Sequence, residues 1–311
     1  MKTKVTESKF KSALGRVGQF FSIVAMGAAI LTCSSASAQN LCVSGRDAGG
    51  GEIFQFTWDG TESIFASGLY KPWDVAFDSA GNLFVVDYEI LGGDLVGNVA
   101  IFKITPSGAL TVFASRVSYA SSMAVNKAGN LFVADYDAGV IYQYKPTGSR
   151  ATFASGLYHP VGLALDSAGN LYVASPSIGI YQGSIYKYQP DGSRVTVTAL
   201  DPGDRPSDLA LDSLGNLYMA DSGGNIYKYV LNGVLRRYPR TTFGSVPNSA
   251  QSLAFDSAGN LFVVDVGDAS GNGNAIYKFT AQGVRSTFAP GIDGVGDSFA
   301  CLAFQPIACC Q

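Results

Sequence analysis

Residues Asp78–Asp87 read DSAGNLFVVD, and Asp256–Asp265 repeat the same ten letters. Three variants lie between them: NKAGNLFVAD from Asn126, DSAGNLYVAS from Asp166 and DSLGNLYMAD from Asp212. Successive copies start 48, 40, 46 and 44 residues apart. A period in the forties carrying one strand–turn–strand phrase per copy confines the chain to an array of small sheets. One such unit cannot bury its apolar strands alone, whereas stacked neighbours bury them for one another.

Each unit divides into four short segments. The first is an apolar stretch ending at a polar turn residue, as in DVAFD or GLALD. The second, NLFVVD or NLYVAS, is almost unbroken in its apolar run, which suits a strand covered on both faces. Between them an Asp that can bond the following backbone and a Gly that accepts positive φ supply the turn. The third segment alternates, as in Ile185-Tyr186-Lys187-Tyr188, and reads as a partly exposed strand. A TPSG, KPTG or QPDG turn leads from it to a fourth strand such as TVFAS or ATFAS. No helical periodicity follows the first forty residues.

The count of units comes from the two ends. Asn40-Leu41-Cys42-Val43 matches a second segment with no first segment before it, and Cys301-Leu302-Ala303-Phe304 matches a first segment with nothing after it. Five complete units and one divided between the ends predict an all-β, six-bladed β-propeller of four-stranded blades. The last blade is closed by the N- and C-terminal strands, which leaves no open sheet edge.

These motifs, over nearly all of residues 40–306, resemble NHL-repeat six-bladed β-propellers within the wider regucalcin/gluconolactonase-like superfamily. The resemblance implies architecture first. For the gluconolactonase branch it also implies a central divalent cation, calcium or zinc, held by Glu, Asn and Asp at the start of the inner strands. The residues in those places here are Trp73, Ser121, Val161, Ser207, Gln251 and Ala300. Asp74 and Asp208 stand one position later and are the only candidates for a shifted metal site. The single histidine, His159, excludes the several-histidine centres of similar propeller lyases.

Residues 1–38 read as a signal peptide and residues 39–311 as the propeller. The leader has Lys2, Lys4, Lys9, Lys11 and Arg16, then the apolar run Phe20–Cys33, then small residues at Ala36–Ala38. The expected location is secreted or periplasmic, with no membrane attachment after cleavage. The leader holds five basic residues and one acidic, so 16 basic and 23 acidic residues remain, a net charge of −7. Such a balance repels phosphate backbones and excludes nucleic acid as the natural partner. Four cysteines remain: Cys42, Cys301, Cys309 and Cys310. All lie in or beside the divided blade, and in an oxidising compartment a disulfide from Cys42 to one of the other three is expected.

Loops between blades and between second and third strands gather Tyr70, Lys71, Trp73, Tyr88, Glu89, Tyr119, Tyr136, Asp137, Tyr158, His159 and Arg205 at one rim. An aromatic mouth of this kind suits a small molecule, a carbohydrate or a protein segment. The recurring Asp87, Asp135, Asp221 and Asp265 read as loop-bonding residues. The expected function is that of a secreted, monomeric, non-catalytic binding module acting through its loop face, with no cofactor. The alternative is a metal-assisted hydrolase or lactonase of the regucalcin/gluconolactonase-like superfamily, and only that alternative calls for a divalent cation.

Overall fold

A computed structural model describes residues 39–47, 50–88, 99–176, 183–231, 238–267, 273–291 and 300–306. They form twenty-four strands and no helix: β1 (Leu41–Asp47), β2 (Gly50–Phe56), β3 (Glu62–Leu69), β4 (Pro72–Phe77), β5 (Leu83–Tyr88), β6 (Val99–Ile104), β7 (Leu110–Val117), β8 (Ala120–Val125), β9 (Leu131–Asp135), β10 (Val140–Tyr144), β11 (Arg150–Ala154) and β12 (Val161–Leu165). The second half holds β13 (Leu171–Ser175), β14 (Ser184–Tyr188), β15 (Arg194–Ala199), β16 (Pro206–Leu211), β17 (Leu217–Asp221), β18 (Asn225–Tyr229), β19 (Arg240–Ser245), β20 (Ser249–Phe255), β21 (Leu261–Val266), β22 (Ala275–Phe279), β23 (Arg285–Pro290) and β24 (Leu302–Phe304). No helix among these residues is long and apolar enough to cross a membrane.

The strands make six antiparallel four-stranded sheets, five of them consecutive in sequence and the sixth ordered β24-β1-β2-β3. Innermost strands touch in the cyclic order β4, β8, β12, β16, β20, β24 and back to β4. This is the six-bladed propeller, closed by pairing Leu41 with Phe304 and Val43 with Leu302. Two backbone bonds extend the seam, from Ser44 N–H to the Cys301 carbonyl and from Gln305 N–H to that of Asn40.

The core lies between blades. Six apolar clusters each join two neighbouring blades, for example Phe132, Ala134 and Ile141 with Leu163, Leu171 and Val173. That is why the second strands are apolar on both faces. The Lys of the third strand covers an aromatic ring across the sheet, as Lys187 does over Tyr172 and Lys228 over Tyr218. Turns after the first strands are tied as the sequence predicts. The Asp78 carboxylate accepts the N–H groups of Ala80 and Asn82, and Gly81 takes φ 81°. Asp87, Asp221 and Asp265 accept backbone N–H groups of the loop entering their own blade, at Lys71, Arg205 and Ser249. Asp135 instead takes the N–H of Ala138 in the turn that follows it.

No disulfide is found among the described cysteines. Cys42 and Cys301 are both free thiols. Cys42 pairs across the seam with Ala303, so Cys301, just before β24, is a diagonal neighbour two residues away. Diagonal partners stand farther apart than the roughly 4 Å between Cβ atoms that a disulfide needs. Cys42 is fully buried between the divided blade and the next, where burial pushes its thiol pKa up to about 12. Cys309 and Cys310, like the leader, lie outside the described residues.

Candidate functional site

Five of the six inner strands, all but β24, reach the ring centre with a skip in their pairing. Pro72 pairs with Asp87 and Asp74 with Val86, so the register skips Trp73 between them. The same skip falls at Ser121, Ser207 and Gln251, and in β12 it falls at Gly162. A bulge of this kind bends the strand and re-aims a side chain. Trp73, Ser121, Val161, Ser207 and Gln251 thereby line a central cavity of about 270 Å³. Tyr119, Tyr136, Pro206 and Ser222 complete one part of the wall, and Asp74, Ser122, Asp208 and Cys301 the other.

One position after Trp73, Ser121, Val161, Ser207, Gln251 and Ala300 comes a second ring: Asp74, Ser122, Gly162, Asp208, Ser252 and Cys301. Its members staple blade to blade. Asp74 accepts the N–H of Met123, Ser122 Oγ that of Leu163 at 3.1 Å, Asp208 that of Leu253 at 2.8 Å and Ser252 Oγ that of Leu302 at 3.3 Å. Gly162 has no side chain to offer Leu209, and Cys301 offers Val75 only a weakly accepting sulfur. At both places the next residue is an aspartate that bonds its own following N–H, Asp208 to Leu209 and Asp74 to Val75, each at 2.8 Å. A carboxylate has two oxygens, so it can take its own amide and its neighbour's together. The two aspartates sit three blades apart on a six-blade ring, facing each other across the cavity.

Their ionisation reflects that position. Burial raises Asp74 to about 6, opposed by hydrogen bonds from Val75, Met123, Cys301 and Ser122. Burial raises Asp208 to about 7, with the like charge of Asp74 adding to it. Asp74 is buried, while Asp208 keeps part of its surface open. Carboxylates poised near neutrality in a cleft mark a candidate site for proton transfer.

The expected rim residues divide. Trp73, Tyr119 and Tyr136 line the cavity. Tyr88 packs behind them, its ring 5.1 Å from Trp73 and 5.6 Å from Tyr119. His159 continues the arc, 4.1 Å from Tyr136 and 4.2 Å from Tyr158. It holds φ 42°, the one positive φ of a non-glycine residue among those described. Lys71 places its ammonium 5.6 Å from the Trp73 ring. Tyr70, Tyr158 and Arg205 stand outside the cavity lining, and Tyr70 and Arg205 give backbone N–H groups to Asp87 and Asp221. Glu89 lies outside the described residues.

A family model described as the SMP-30/Gluconolactonase/LRE-like region matches residues 67–223, which carry Asp74, the aromatic arc and Asp208. The chain belongs to this family. Solved structures agree on the fold. A chain of the nidogen/laminin complex superposes with a TM-score of 0.68 at 16% identity, covering 87% of this chain and 100% of that one. A gluconolactonase of Xanthomonas campestris gives 0.62 at 16% identity, covering 83% and 86%. Virginiamycin B lyase of Staphylococcus aureus gives 0.52 at 15% identity, covering 70% of each chain. At these identities the likeness is one of fold. No curated protein matches the chain by sequence.

The cation that the family resemblance implies does not fit the residues present. Ser121 Oγ donates to the carbonyl of Pro160 at 2.6 Å, and Ser207 Oγ to that of Ala250 at 2.5 Å. Trp73, Val161 and Ala300 bring no oxygen ligand. Asp74 and Asp208 are the only carboxylates of the described lining, and they stand three blades apart rather than converging on one point. Among the described residues no three His, Cys, Asp or Glu side chains converge as a metal would need.

Proposed function

We propose that this family member is an ester or lactone hydrolase working in the central cavity, with Asp208 as general base and Asp74 as the residue that tunes it. The observation that supports this is the facing pair of buried aspartates, one of them partly open and brought to about 7. Family membership favours a hydrolase over the non-catalytic binding module expected at first. An ionised Asp208 takes a proton from a cavity water as its oxygen bonds the acyl carbon. The bond from acyl carbon to the leaving oxygen then breaks, and that oxygen takes the proton back from Asp208. The products are a carboxylic acid and an alcohol, joined in one molecule when the substrate is a ring. The amide of Gln251 and the hydroxyls of Tyr119, Tyr136 and Ser222 are lining groups able to donate to the acyl oxygen. The leader reading goes with this proposal and places the reaction in a secreted or periplasmic enzyme.

The test is turnover of a panel of simple lactones and esters with EDTA present. Asp208→Asn should lower kcat by about 10²–10⁴-fold, the range of a lost general base. No turnover by the wild-type protein, or turnover that needs added metal, would overturn the proposal.

A further inference from the structure

We propose that the central cavity selects an organic cation, so that the substrate carries an ammonium group beside its acyl group. Three aromatic side chains, Trp73, Tyr119 and Tyr136, and two carboxylates, Asp74 and Asp208, line one cavity of about 270 Å³. Among the described lining residues there is no Lys, Arg or His. Aromatic walls attract ammonium groups through the ring quadrupole, most strongly where water is excluded. The carboxylates add full charges where the dielectric is low. An anion would face two carboxylates and no partner. The indole already draws one cation, since the Lys71 ammonium lies over it from outside the lining.

The acyl half of this substrate rests on the hydrolase reading, whereas the cationic half stands on the cavity alone. Around the pair, the Cys301 thiol and the Tyr88, Tyr119 and Tyr136 phenols are all held above their ordinary values by burial. Lys71 and Asp137 belong to the rim. His159, stacked on Tyr136, is the other titratable side chain beside this wall.

The chain has two tryptophans, Trp73 in the cavity and Trp58 exposed, so Trp58→Phe leaves the cavity indole as sole tryptophan reporter. Choline and its neutral isostere 3,3-dimethylbutan-1-ol are titrated into that variant. Choline should bind at least tenfold more tightly at pH 8. Its advantage should shrink as pH falls to 5, because protonation removes the carboxylate charges. The shrinkage should persist in His159→Asn, which tolerates the left-handed backbone, and choline affinity should fall in Asp208→Asn. Equal binding of the two isosteres at pH 8, or an advantage that His159→Asn makes independent of pH, would overturn the proposal. Acetylcholine and 3,3-dimethylbutyl acetate separate the two readings. Choline binding with no turnover of these esters or of the lactone and ester panel would sink the hydrolase and leave cation selection standing. Turnover that favours the neutral ester would do the reverse.

Discussion

Gly162→Ala is the substitution to which the inner ring is most sensitive. A Cβ at this position would stand 2.8 Å from Asp208 Cα, 2.8 Å from Leu209 N and 2.9 Å from Asp208 C, all backbone atoms of the next blade. Backbone held in a sheet cannot step aside as a flexible side chain can, so β12 and β16 must separate. Overpacking of this kind costs about 1–3 kcal/mol. The φ of 23° adds strain for an L-residue, about 1–2 kcal/mol if it reaches the left-handed penalty. Gly156→Ala isolates the second cost, because Gly156 has φ 73° and no atom within 4 Å of its Cβ position. Urea unfolding at pH 7 should therefore show Gly156→Ala losing about 1–2 kcal/mol. Gly162→Ala should lose about 1–3 kcal/mol more. Because the clash falls on the backbone of Asp208, hydrolysis should fall in Gly162→Ala and stay near wild type in Gly156→Ala. Equal losses of stability in the two variants would refute the close contact between blades.

Three further outcomes are expected. Folded Asp74 and Asp208 hold protons more tightly than the unfolded chain, so their contribution is largest at low pH and is lost as pH rises through about 6 and 7. For Asp74 this amounts to about 1–2 kcal/mol between pH 5 and 8, and a urea midpoint equal at both pH values would contradict it. Removing residues 300–311 takes away β24 and exposes the β1 edge, so the truncated protein should aggregate or melt far below the full chain; an unchanged melting temperature would sink ring closure. Dialysis against EDTA should leave the melting temperature unchanged, and a drop of several degrees would show that the cavity residues hold a structural cation after all.

The architecture was legible because it is written as repetition. Five copies of one turn and two half-units at the ends fix the blade count, the strand order and the seam at Leu41 and Phe304. The site was legible only in part. Trp73, Tyr119 and Tyr136 could be placed at a loop rim because they stand in or beside inter-blade loops or, for Tyr136, the loop between second and third strands. The roles of Asp74 and Asp208 could not be read, because each depends on a missing acceptor in the preceding blade, at Cys301 and at Gly162. That dependence spans 46 residues for Gly162 and more than 200 for Cys301, and it runs through pairing skips that no local pattern announces. For the pair Cys42 and Cys301 the cysteine reading fell short for a related reason. Proximity of Cys42 and Cys301 in one blade follows from topology, but their diagonal register does not.

The most direct test of the account is the pH dependence of kcat/KM for the best ester or lactone, in the wild-type protein and in Asp74→Asn. The wild-type rate should rise with pH to a plateau, with a midpoint near the Asp208 value of about 7. Removing the Asp74 charge should move that midpoint to lower pH, since the like charge helps hold Asp208 up. A rate flat from pH 5 to 8, or a midpoint that Asp74→Asn leaves in place, would contradict the paired-carboxylate site.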